Sequence, residues 1–145
     1  SNPFGPYEEY KFTSYLADKW LNNETAIIKT PDYVRDNIPV DLLAKSYSYF
    51  LKKIKNKNFY KLNPSGYVET NLDFVKRMRK EFKKRLNLKC YYRIEKDLNL
   101  TEPIKRYNND NMFKLIKDYD QNVFWNDLID FYKKFYCYKL DKSSS

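Results

Sequence analysis

Residues 70–88, TNLDFVKRMRKEFKKRLNL, carry two patterns at once. Leu72, Val75, Met78, Phe82 and Leu86 recur at steps of three and four, the spacing that sets apolar side chains along one side of an α-helix. Thr70 stands where an N-cap belongs and Asp73 follows three residues on, a partial capping box, so the pattern predicts a helix over about 71–86. The opposite side is basic: Lys76, Arg77, Arg79, Lys80, Lys83, Lys84 and Arg85, with Glu81 the only acid after Asp73. Like charges four residues apart, as in Lys76 with Lys80 or Lys80 with Lys84, cost about 0.2–0.5 kcal/mol per pair, a strain that a bound anion relieves.

Upstream, Phe12, Tyr15, Leu16 and Trp20 predict a first core-facing helix over about Tyr7–Asn22. Ala26-Ile27-Ile28 reads as a short strand before Pro31 and Pro39 punctuate an irregular connection. From Val40 a second helix is expected, with Leu43, Tyr47, Phe50, Leu51 and Ile54 on its apolar face, Asp41 at its N-terminus, and Lys52, Lys53, Lys55 and Lys57 about its last turn. Asn63-Pro64-Ser65-Gly66 is a turn signal.

Downstream, Leu88, Cys90, Tyr92 and Ile94 alternate with Lys89, Tyr91, Arg93 and Glu95, a half-buried strand that Asp97-Leu98-Asn99 could fold back into a hairpin. Two further helices follow from about Asn109, marked by Met112, Phe113, Ile116 and Tyr119, then by Phe124, Leu128, Phe131, Tyr132 and Phe135. The steps of four, three and four in VFWNDLIDFYKKFYCYKL (123–140) assign Phe124, Leu128, Phe131 and Phe135 to packing and leave Trp125, Tyr132, Tyr136 and Tyr138 for a partner. The expected fold is therefore mainly α, a helical domain with a small β-hairpin, arranged as a winged-helix-like part over about 7–98 and a C-terminal helical extension over about 101–140 of one domain.

The 145 residues hold two glycines, six prolines and 27 aromatic side chains, the composition of long elements around a core rather than of a disordered tail. No histidine is present, and Cys90 and Cys137 make no CxxC, which excludes ordinary zinc sites and histidine-dependent nucleophile pairs within the chain. GxxxxGK[ST] and GxGxxG are absent, and Gly5 and Gly66 cannot build a phosphate-cradling loop. Asp118 and Asp120 would diverge on a helix, and Asp127 and Asp130 read as a solvated face, so neither enzyme activity nor a metal or cofactor is expected. Apolar runs fall far short of the ~20 residues that span a bilayer, and no signal segment opens the chain, so an intracellular protein without membrane attachment is expected. Asn23-Glu24-Thr25 and Asn99-Leu100-Thr101 are chance glycosylation patterns on that reading.

The net charge of +9 is unevenly placed. Residues 45–96 hold 16 Lys or Arg against 4 Asp or Glu, net +12, while the remainder holds 12 against 15, net −3. Cations gathered on contiguous elements build a potential that polyanions follow, and nucleic acid is the natural partner.

The strings FTSYLADKWLNN (12–23), IPVDLLAKSYSYFLKK (38–53) and NLDFVKRMRKEFKKRLNL (71–88) together resemble the C-terminal module of phage and large-DNA-virus primase-helicases, a small winged-helix-like domain behind a helicase core. Val40, Leu43, Tyr47 and Phe50 match that module's second helix, and Phe74 with Leu86 bracket the third. The resemblance covers about residues 10–90, and this chain departs from it by the insert NKNFYKLNPSGYVET (56–70) and the aromatic helices at its end. It implies an accessory module of a DNA replication protein, with the ATPase and primase chemistry outside these residues, and further domains or subunits of that protein as partners. PDYVRDNIPVDL (31–42) is also similar to a bromodomain loop, but the asparagine closing that family's next helix has no counterpart.

The expected contacts follow. Arg77, Arg79, Lys80, Lys83 and Lys84 would hold phosphates, with Lys76 and Arg93 in support, giving affinity rather than sequence choice. The alternative is a helical interaction or oligomerisation module that docks a protein through Trp125, Tyr132 and Tyr136.

Overall fold

The computed structural model describes residues 1–55 and 61–143, with side chains through Tyr136 in the last helix. Lys57 and the Tyr138 side chain lie outside the described residues. The elements run β1 (Asn2–Phe4), α1 (Phe12–Leu21), β2 (Ala26–Ile28), β3 (Val34–Pro39), α2 (Val40–Ile54), β4 (Pro64–Ser65), β5 (Tyr67–Thr70), α3 (Asn71–Arg85), β6 (Tyr92–Ile94), β7 (Asp110–Asn111), α4 (Met112–Leu115) and α5 (Gln121–Ser143). Helix α1 starts later than its apolar spacing predicts, behind Tyr7 at positive φ, and the Lys11 amide donates to Ser14 Oγ at its start (2.7 Å).

This is a mixed α/β fold, not the mainly helical domain expected. Three strands form one sheet in the order β1-β3-β5, β3 running parallel to β1 and antiparallel to β5. β2 pairs parallel with β6, and β4 parallel with β7. The predicted hairpin is therefore replaced: Tyr92–Ile94 lies beside Ala26–Ile28 instead of folding back on its own continuation. Two strands also separate α2 from α3, and the Asn63–Gly66 turn signal falls on one of them, so the winged-helix order does not hold.

The strand at the centre of the main sheet escaped pattern reading because its residues are polar. Arg35, Asp36 and Asn37 are all buried on β3. Polar groups are tolerated inside when partnered, and Asp36 has two donors: the Gly66 amide (2.7 Å) and the Asn108 amide (3.0 Å). Gly66 itself is required by close approach, since a Cβ there would stand 2.6 Å from both the Asn37 carbonyl oxygen and Ile38 Cα.

The main core gathers Phe4, Trp20, Phe74, Phe82, Phe124, Trp125 and Tyr132, drawn from both ends of the chain. A smaller cluster of Ile38, Leu42 and Met112 lies beneath α2. Phe4 meets Phe74 and Phe124 edge to face at 5.4 and 5.2 Å, the arrangement that aromatic quadrupoles favour. Among the described residues no helix is long and apolar enough to cross a membrane.

Candidate nucleic-acid interface

Helix α3 begins where its cap predicts: Thr70 Oγ1 accepts from the Asp73 amide at 3.1 Å. Phe74, Val75, Met78 and Phe82 are buried, fixing the helix in the core by one face. That anchoring turns Lys76, Lys80, Lys83 and Lys84 outward. Together with Arg79 they line a shallow depression of about 510 Å³.

Arg79 and Lys83 also line a second depression, of similar volume, which carries the surface past the helix end to Leu86, Lys89 and Tyr91. Cys90 produces this continuation. Its positive φ of 53° lets the thiol enter the core while Tyr91 stays 49% exposed. The Tyr91 carbonyl accepts from the Trp20 indole (2.9 Å) and from the Ala26 amide (3.0 Å), which holds the segment against α1 and β2. Burial pushes the Cys90 thiol up to about 11, only partly offset by the Arg79 and Lys83 charges beside it, so it stays neutral at physiological pH and is no nucleophile.

The cations differ in what holds them. Lys76, Lys80, Lys83 and Lys89 form no ion pair with any described residue, and Lys84 stands 3.7 Å from Glu81. The Arg79 guanidinium lies 5.7 Å over the Tyr92 ring, and its Nε is enclosed without a hydrogen-bond partner. Arg77 is committed elsewhere: it grips both Glu69 oxygens (2.7 and 3.1 Å) and lies 4.2 Å over the Tyr67 ring. The hydrogen bonds it donates to Glu69 hold its guanidinium above the usual range. Arg85 is likewise fixed, on Glu81, Asn122 and Asn126. Arg93 is exposed on β6, paired with Glu95 at 2.7 Å, and lines neither depression.

The side chains expected to dock a partner are buried instead. Trp125 donates through its indole to the Tyr67 hydroxyl (3.2 Å), Tyr132 donates to Glu8 Oε1 (2.7 Å), and Tyr136 lies in the same core. Helix α5 buries Phe124, Trp125, Leu128, Ile129, Tyr132 and Tyr136, an arc rotated from the predicted one, and leaves Phe135 exposed. The carboxylates weighed for catalysis include a helix cap, Asp120, which accepts from the Asn122 and Val123 amides. Among the described residues, no three histidine, cysteine or acidic side chains gather to hold a metal.

Sequence reasoning thus marked Lys76, Arg79, Lys80, Lys83 and Lys84, which the fold brings together, and Arg77 and Arg93, which it does not. It passed over Lys89 and Tyr91, although the outward phase of the 88–94 alternation signals both. Comparison with family models, with curated proteins and with solved structures returns no significant match for this chain.

Proposed function

We propose that this chain is a non-catalytic nucleic-acid-binding module that holds a phosphate backbone on Lys76, Arg79, Lys80, Lys83 and Lys84. The observation that carries this reading is the continuous basic surface along α3, whose lysines at 76, 80 and 83 have no acidic partner among the described residues. Phosphate oxygens would relieve the repulsion along the helix. A single strand suits the surface better than a duplex, because its far end reaches Tyr91, a half-exposed ring on which an unpaired base can stack. A place within a DNA replication protein rests on the resemblance of the three helical strings alone.

Fluorescence anisotropy of labelled single-stranded and duplex oligonucleotides, at about 50 and 200 mM salt, tests this. Five phosphate contacts predict a slope of log affinity against log salt near −3.5 for a single strand and −4.5 for a duplex, from about −0.7 and −0.9 per contact. Replacing Lys76, Lys80 and Lys83 by alanine flattens that slope by about 2–3 units. No binding at 50 mM, or a slope the triple variant leaves unchanged, removes the proposal.

A protein-docking role is favoured at a different place from the one expected. Helix α2 leaves Tyr47 and Leu51 each 61% exposed, and substitutions there would separate a docking role from nucleic-acid binding.

A further inference from the structure

Beside the N-terminus of α3 lies a cavity of about 400 Å³, a size that suits a small molecule. β3, the 30–33 turn and the first residue of α3 form one wall, and the 97–102 segment forms the other. Its construction is rigid. The Arg35 side chain is almost fully buried, its guanidinium 4.4 Å over the Tyr33 ring, and its terminal nitrogens donate to the Val34, Pro103 and Ile104 carbonyls and to Glu102 (3.2 Å). Asn71 Nδ2 donates to both the carbonyl and the hydroxyl of Thr30 at 3.0 Å.

One group in this wall is left over. Asn37 is only 7% exposed and lines the cavity, yet its side-chain nitrogen is enclosed with no hydrogen-bond partner. A buried donor without an acceptor costs about 1–3 kcal/mol, so such groups in native folds call for an explanation. An occupant that draws the amide toward the cavity would supply the acceptor.

The chemistry of the lining selects the occupant. Asp97 and Glu102 stand on the rim and the one cation, Arg35, is taken up by Glu102, so a phosphate is disfavoured inside. Amides and a hydroxyl suit a neutral group with donors and acceptors along its edge, and the half-buried Phe12 suits a flat ring. The position suits one source. Asn71 is the first residue of α3 and Lys76 lies five residues on, about 7.5 Å of helix rise and about 140° around the helix, so a strand that leaves the basic surface across the first turns of α3 arrives at the cavity.

We infer that this cavity receives one unstacked nucleobase of the strand held on α3, with the Asn37 amide reading its edge. The inference rests on the nucleic-acid reading above and adds to it a base-recognising pocket, and with it a preference among bases that backbone contacts do not supply.

The test uses the whole chain and two short single strands of equal length and charge, one with bases and one of abasic sites, titrated by anisotropy at about 50 and 200 mM salt. The base-bearing strand should bind tighter by the shares of two bases, one on Tyr91 and one in the cavity, each roughly 5- to 100-fold. Thr101→Trp, with Asn99→Trp as a second plug of the same exposed rim, should remove the cavity's share and leave the Tyr91 share, the salt slope and binding of the abasic strand unchanged. Free nucleosides at millimolar concentration form a separate arm, read by the Asn37 side-chain amide signals in nuclear magnetic resonance. Shifts that a base-bearing strand reproduces, and an abasic strand does not, support the inference. Salt- and base-dependent binding that the plugs leave unchanged overturns it while leaving the α3 reading intact, and nucleosides that bind without competing with the strand overturn it too. No strand binding at 50 mM overturns both readings together.

Discussion

Helices α2 and α3 are both fifteen residues long and both rich in lysine, but they are held differently. α3 is sunk in the main core by Phe74, Val75, Met78 and Phe82, and lies against β5 and α5. α2 leans on the small cluster by one edge: Leu42 and Ser46 are its buried residues, with Tyr49 half-buried beside Met112 and Ile116. Anchoring by a whole face fixes the direction of Lys76, Arg79, Lys80, Lys83 and Lys84, so they sum to one surface. On α2 Lys45, Lys52 and Lys53 share the outside with Tyr47 and Leu51, and apolar area interrupts the charge. On α3 the lysines make one continuous basic surface because the core takes the apolar face.

That contrast sets the expected effects. Phe82→Ala, which empties the centre of the α3 face, should cost about 3–5 kcal/mol in urea denaturation. Alkaline pH should act more weakly on the same region. The unfolded Cys90 thiol ionises near 9 and the folded one near 11, so the folded chain holds the extra proton in between. The stability involved is complete below about pH 9 and is lost as pH rises toward 11, with Tyr132, raised by its burial and by Glu8, adding the same sign above 10. Melts at pH 8 to 11 should fall less steeply in Cys90→Ala; equal slopes would place the thiol in water. Thr70→Ala removes the α3 cap and should cost about 1 kcal/mol, whereas α2 begins at Pro39 with no side-chain cap to lose. Leu51→Ala, on the open face of α2, should stay within about 0.5 kcal/mol. A loss there matching that of Phe82→Ala would mean that α2 is covered as α3 is.

The two helices also show how much of the fold was legible. Spacing on α3 found the helix, its cap and its buried side together, because one apolar arc faces one continuous basic arc. Spacing on α2 found the helix and only part of its covered side: of Leu43, Tyr47, Phe50, Leu51 and Ile54, Leu43 packs on the small cluster and Phe50 is half-buried, but Tyr47, Leu51 and Ile54 stay exposed while the chain buries Leu42 and Ser46. Periodicity says which residues share a face and leaves to tertiary context which face is covered. α5 repeats the lesson, since neighbouring apolar arcs through Phe124 and Trp125 compete and the core takes Trp125, Tyr132 and Tyr136. β3 was illegible for another reason. Arg35 and Asp36 become interior residues through partners at 102–104 and at 66 and 108, which no local pattern announces. Of the basic site, the cations on α3 could be read directly, while Arg77 was lost to Glu69 on the preceding strand and Lys89 and Tyr91 joined through the turn at Cys90.

The parallel pairing of β2 with β6 has a consequence in time. Ala26 lies opposite Tyr92, 66 residues later in the chain, and such a distant pairing must close a long loop before any contact rewards it. Helix α3, by contrast, is local and can form early. Its lysines would then be displayed before the floor that Cys90 and Tyr91 complete, and the continuous basic surface would mature as one of the last steps of folding rather than with its helix.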